Sequence, residues 1–233
     1  MNTLPQDSNL ARLAMAAEKL DRLLDQIVFV GGCMTELLLT DPGAAPIRPA
    51  LDVDAIIAIG SYLEFTLLEG RLRELGFHQS QAEGAPICRW VSGGLILDLM
   101  PTDPSILGFS NRWYQPALEN AQKARVGDHE IRVTTAPYFR ATKLEAFHGR
   151  GKNDFSSHDL EDIVTIVDGR PELAGEVHLA PTDLQKYLSD QVGNLLSNRD
   201  FMEALPGHLL PDAANQQRLG LVLRRMKQLL LES

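Results

Sequence analysis

Leu10, Leu13, Ala17, Leu20 and Leu24 recur at helical spacing with Glu18, Lys19 and Arg22 between them, which predicts an amphipathic helix over residues 8–25. The apolar run Ile27–Val28–Phe29–Val30 stops at Gly31–Gly32, the pattern of a buried strand entering a tight turn, and residues 34–39 then read as helical. Residues 40–49 hold three prolines and a glycine and are a loop. Residues 51–59 are rich in β-branched side chains and predict a strand. Residues 62–75 return to helical period through Leu63, Leu67, Leu68, Leu72 and Leu75. Ile87–Ser92 and Leu95–Met100 flank Gly93–Gly94, a hairpin signal, and residues 131–134 read as a further strand.

Beyond residue 136 strand signals become sparse. Helical patterns run over 137–148, 157–168, 181–196 and 213–231, the last through Leu219, Val222, Leu223, Met226, Leu229 and Leu230. The expected fold class is α+β, a mixed sheet flanked by helices over residues 1–135, followed by an all-helical C-terminal lobe over 136–233. A length of 233 residues is compatible with two lobes.

Composition changes this picture little: 44% hydrophobic and 23% charged residues are ordinary for a globular chain. The N-terminus lacks the apolar core of a secretion signal, and no apolar run reaches the roughly 18 residues of a membrane helix. The chain therefore reads as cytoplasmic, with no membrane partner. Cys33 and Cys88 make neither a disulfide framework nor a zinc site, and the six histidines show no metal-ligand spacing. A net charge of −9 excludes a generic nucleic-acid coat.

The local charges say more. In Leu51–Asp52–Val53–Asp54–Ala55–Ile56–Ile57 the two acids are two residues apart, so a strand presents both carboxylates on one face. Like charges in an apolar strand need a counter-ion, and a divalent cation with oxygen ligands is the usual one. Asp98 interrupts a second apolar strand, Leu95–Met100. The plain alternative is strand-end acids facing solvent. Gly31–Gly32 lets the backbone approach a phosphate at the start of a helix, although it is neither G-K-[ST] nor G-x-G-x-x-G. Between residues 140 and 152 the net charge is +3, from Arg140, Lys143, Arg150 and Lys152 against Glu145. Asp159 and Asp162 project together from a later helix, either as partners for basic groups or as acids offsetting the helix dipole.

The order Val30–Gly31–Gly32, Asp52–Val53–Asp54 and Leu97–Asp98–Leu99 resembles the nucleotidyltransferase superfamily built on the DNA polymerase β-like fold. Thr35 and Glu36 stand where the turn of tRNA nucleotidyltransferases carries Arg and Asp. The continuation through Lys143, Arg150 and Asp159–Leu160–Glu161–Asp162 is similar to AbiEii-like and MenT-like nucleotidyltransferase toxins. The resemblance implies a nucleotidyltransferase-like sheet and a Mg²⁺ site (Mn²⁺ as the alternative) on Asp52, Asp54 and Asp98. It implies that Gly31 and Gly32 cradle the triphosphate, with Lys143, Arg150, Asp159 and Asp162 completing the nucleotide site and Lys143 stabilising the leaving pyrophosphate. The implied activity is transfer of an NMP from an NTP to a hydroxyl of tRNA, protein or a small molecule, in a toxin with an antitoxin partner. An antibiotic-type small-molecule nucleotidyltransferase and a non-catalytic nucleotide-binding regulator are the alternatives.

Overall fold

Among the described residues the strands are β1 (Ile27–Val30), β2 (Val53–Ile57), β3 (His78–Gln79), β4 (Arg89–Ser92), β5 (Leu95–Pro101), β6 (Gln122–Val126) and β7 (His129–Val133). They form one mixed sheet in the order β3-β4-β5-β2-β1-β7-β6. β1 is apolar and buried throughout because it is central, antiparallel to β2 on one side and parallel to β7 on the other. β2 runs parallel to β5, and β5 turns back on β4 through Gly93 and Gly94, both at positive φ as a two-residue hairpin turn demands. These features belong to a computed structural model that describes residues 8–149, 151 and 154–231. The fold is α+β, and two compact units divide it: Met1–Leu37 with Arg48–Thr135, and Leu38–Ile47 with Ala136–Ser233.

In the first unit, helix Asn9–Lys19 is capped by Ser8, whose hydroxyl accepts from the Ala11 N–H, and it lies across β2, β5, β6 and β7 through Leu13, Ala16 and Ala17. The period expected to run to residue 25 ends at Lys19, and a single 3₁₀ turn, Asp21–Leu23, follows. The helix expected over 34–39 is instead the 3₁₀ segment Gly32–Leu38. Its three-residue period stacks buried Thr35 over buried Leu38. β6 was not legible because it is an edge strand: Gln122, Lys123 and Arg125 are exposed, which removes the apolar alternation.

In the second unit, helix Ala136–His148 is buried at every position from Ala136 to Leu144, as the centre of a helical cluster must be. Helices His158–Gly169, Leu173–His178 and Thr182–Ser197 pack on it. The helix expected over 213–231 is two, Ala213–Gln217 and Leu219–Lys227, and the break falls at Arg218. The Arg218 guanidinium reaches Asp168 (2.8 Å) and Asp41 (2.9 Å). Among the described residues no helix is long and apolar enough to cross a membrane.

The proline-rich segment Leu38–Ile47 thus belongs with the helices. The N–H groups of Thr40 and Asp41 both donate to the Gly169 carbonyl at 2.9 Å, Arg225 joins Arg218 on Asp41, and Thr40 Oγ1 donates to Glu172 at 2.6 Å. Arg218 and the Gly43 N–H hold the Asp41 carboxyl down to about 2 from an ordinary 3.8. A carboxyl depressed on folding contributes stability above its unfolded value and loses it as pH falls through the folded one. The stability difference between wild type and Asp41→Asn should therefore be constant above about pH 4 and shrink towards pH 2, as measured by urea melts across that window. A constant difference would disprove the linkage.

Candidate active site

Asp54 sits in the middle of the sheet. Across β1 it pairs with Val30, and across β5 it pairs in parallel register with Asp98. The residue after Val30 is Gly31, at φ +74°, and the Asp54 carboxylate lies directly over it: a Cβ added there would fall 1.9 Å from Asp54 Oδ2. Gly31 is therefore needed twice, for a left-handed backbone and for the space its missing side chain leaves. Gly32 is buried and opens the 3₁₀ segment.

Two aspartates side by side on adjacent strands repel. A cation that meets Asp98 is Arg89, which sequence reasoning missed. It lies on β4 directly opposite Asp98. Its Nε and Nη2 donate to the two Asp98 oxygens at 2.8 and 2.7 Å, and Nη2 also donates to Asp52 Oδ2. This forked geometry is the strong form of a carboxylate pair, and the hydrogen bonds to Asp98 push Arg89 above its already high value. The structure thus brings Asp52, Asp54, Asp98 and Gly31 together. As they stand, the three acids do not fit a divalent ion: among the described residues no group of three or more His, Cys, Asp or Glu side chains is placed to hold one. Asp52 and Asp98 are turned to the guanidinium instead.

Both cysteines feel these carboxylates. Cys33, which donates its S–H to the Asn9 carbonyl at 3.2 Å, is pushed up to about 12 by burial and then by the charge of Asp54. Cys88 is pushed up to about 12 by burial and then by Asp98. In both, the environment disfavours the thiolate.

The second unit holds the other predicted group. Lys143 Nζ lies 3.1 Å from Asp159 Oδ1 and 2.6 Å from Asp162 Oδ2, all three side chains being buried. Ser157 caps the helix that carries the two acids, through the Leu160 N–H. Their carboxylates therefore meet a lysine, which is more than offsetting a helix dipole. Arg150, like Lys152, lies outside the described residues. Arg140, three residues before Lys143, is fully buried, and among the described residues none of its guanidinium nitrogens has a hydrogen-bond partner. Burial pushes it down to about 9.

No protein-family model matches the sequence, and no curated protein matches it either. Among solved structures, an antigenic nucleotidyltransferase-like protein from Paracoccidioides brasiliensis is similar over 87% of this chain and 94% of its own, with 20% identity and a TM-score of 0.50. The JHP933 protein of Helicobacter pylori aligns over 97% of this chain and 92% of its own, with 12% identity and a TM-score of 0.49. The fold is thus nucleotidyltransferase-like, as the motif order implied.

Proposed function

We propose that the protein is a nucleotidyltransferase that moves an NMP from an NTP to a hydroxyl acceptor. The observation that carries this reading is Asp54, held in register with Asp98 and seated over the Gly31 turn, within a nucleotidyltransferase-like fold. In the reaction an acceptor oxygen bonds to the α-phosphorus, the bond from that phosphorus to the bridging oxygen breaks, and pyrophosphate leaves. The chain's own groups suit parts of this. Gly31–Gly32 is the turn at which phosphate oxygens would meet backbone N–H groups. Asp54 or Asp98 would take the proton of the attacking hydroxyl. Lys143, oriented by Asp159 and Asp162, would lend positive charge to the leaving group. Mg²⁺ or Mn²⁺ is the cofactor this reading calls for, and it would find Asp52 and Asp98 already engaged by Arg89.

The acceptor is a hydroxyl of tRNA, protein or a small molecule. The toxin-like form of the reading adds an antitoxin partner and action in the cytoplasm. One observation favours a second reading, a nucleotide-binding regulator without turnover: Arg89 pairs with Asp52 and Asp98 without a metal. Incubating the protein with each α-labelled NTP, Mg²⁺ and a cell extract separates the two. Transfer of label from one NTP, reduced about 10²-fold or more by Asp54→Asn, is the expected result. Nucleotide binding without transfer supports the regulator, and an Asp54→Asn protein that labels like wild type sinks the enzyme.

A further inference from the structure

We propose that the outward face of helix Tyr62–Glu74 is a docking surface for a second copy of this chain, packed antiparallel about a two-fold axis. This goes beyond the nucleotidyltransferase reading and does not depend on it. The helix starts at Ser61, whose hydroxyl accepts from the Glu64 N–H, and it buries Leu68 and Leu72 on its inner side. A surface helix is ordinarily polar on its outer side, yet Leu63, Thr66, Leu67 and Gly70 follow one another there at helical spacing. Leu63 is 71% exposed and Leu67 55%. A Cβ added at Gly70 would meet nothing within 4 Å. A glycine inside a helix costs stability, and packing within the single chain does not call for it. A helix that is apolar on both sides is one that is covered on both.

Charge selects the occupant. Glu64 and Arg71, both exposed, flank the apolar face on one edge, and Tyr62 and Arg73, also exposed, flank it on the other. All four stay at the surface with local or long bonds: Glu64 accepts from the Gly60 N–H at 2.8 Å, Arg71 donates to Gln26 at 3.4 Å, Arg73 to Glu69 at 3.2 Å and the Tyr62 hydroxyl to the Ser105 carbonyl at 3.1 Å. In an antiparallel pair related by a two-fold axis, each edge of one helix meets the same edge of the other. An axis passing between residues 67 and 68 sets Glu64 of each copy level with Arg71 of the other, and Tyr62 level with Arg73. The ion pair and the cation–ring contact thus each form twice. The Leu67 side chains meet near the axis, and Leu63 comes down beside Gly70 of the second copy, where the missing side chain leaves room. A parallel pair would bring Arg71 against Arg73 instead. One helix pair buries less than the roughly 1,200 Å² of a stable interface, so the dimer is a weak one.

Sedimentation velocity of the full chain over a range of about 1 µM to 1 mM tests this, and a monomer passing into a dimer is the expected result. Leu67→Glu, which sets like charges together at the axis, should raise the dissociation constant about 10-fold or more. Gly70→Gln should do the same while melting at or above the wild-type temperature, because glutamine is the better helix former and meets nothing in the single chain. Glu64→Arg should weaken the dimer about 5-fold or more by opposing two pairs of like charges, and adding Arg71→Glu should restore it. Thermal melts report that each variant folds. A chain that stays monomeric to about 1 mM overturns the proposal and leaves the face to a different protein. A dimer that Leu67→Glu and Gly70→Gln leave intact overturns it as well, since the copies then meet elsewhere. A dimer broken by those two substitutions but not restored by the charge exchange overturns the antiparallel arrangement.

Discussion

Gly31→Ala is expected to disable the site about as severely as removing the Asp54 carboxylate, with a modest loss of stability. The new Cβ would meet Asp54 Oδ2 at 1.9 Å, Cγ at 2.5 Å and Cβ at 2.7 Å, so rotating the carboxylate away is not enough. The base of the side chain, fixed by the β1–β2 ladder, is in the way as well. An alanine at φ +74° adds about 1–2 kcal/mol of backbone strain. Together these should lower the melting temperature by roughly 3–10 °C. The separation of the two causes is measurable. In an Asp54→Gly background the clash is gone and only the backbone strain remains, so Gly31→Ala should cost less there than in wild type. Equal costs in the two backgrounds would show that Asp54 does not depend on the glycine.

That dependence was half legible in the sequence. An apolar strand ending in Gly-Gly, and an Asp-x-Asp strand further on, were both readable. Their contact was not, because nothing local says that β1 and β2 pair antiparallel with Val30 opposite Asp54. Arg89 is a different case. The hairpin at Gly93–Gly94 was recognised, and counting outward from a two-residue turn puts Ser92 against Leu95, Val91 against Ile96, Trp90 against Leu97 and Arg89 against Asp98. The signal is present in the hairpin, but Arg89 belongs to none of the acidic, glycine or basic motifs. β6 and the attachment of Leu38–Ile47 to the helices were hidden for a physical reason: an exposed edge strand has no apolar period, and a loop stapled by Asp41, Arg218 and Arg225 is held by side chains distant in sequence. The basic segment misled in one respect. Net charge counts Arg140 and Lys143 alike, whereas the helix buries both and gives hydrogen-bonding carboxylates only to Lys143.

The same contrast sets the last prediction, in which two cations three residues apart on one helix should respond to methionine in opposite directions. Arg140→Met should stabilise the protein. Among the described residues the guanidinium is fully buried without a hydrogen bond, and Tyr187, which acts on it electrostatically, uses its hydroxyl to donate to Glu145 Oε2 at 3.3 Å. A buried charge in that state has lost its hydration and gained no partner. Methionine keeps an unbranched stem in the same space, and replacing buried ions with apolar side chains gains about 1–4 kcal/mol. That gain corresponds to a rise of roughly 2–10 °C in melting temperature. Lys143→Met should do the reverse, at about 3–5 kcal/mol, because Asp159 and Asp162 remain buried without that ammonium. Thermal melts of the full chain at neutral pH read both changes. If Arg140→Met melts below wild type, the guanidinium is stabilising where it lies, and the account of it as an unpaired buried charge is wrong.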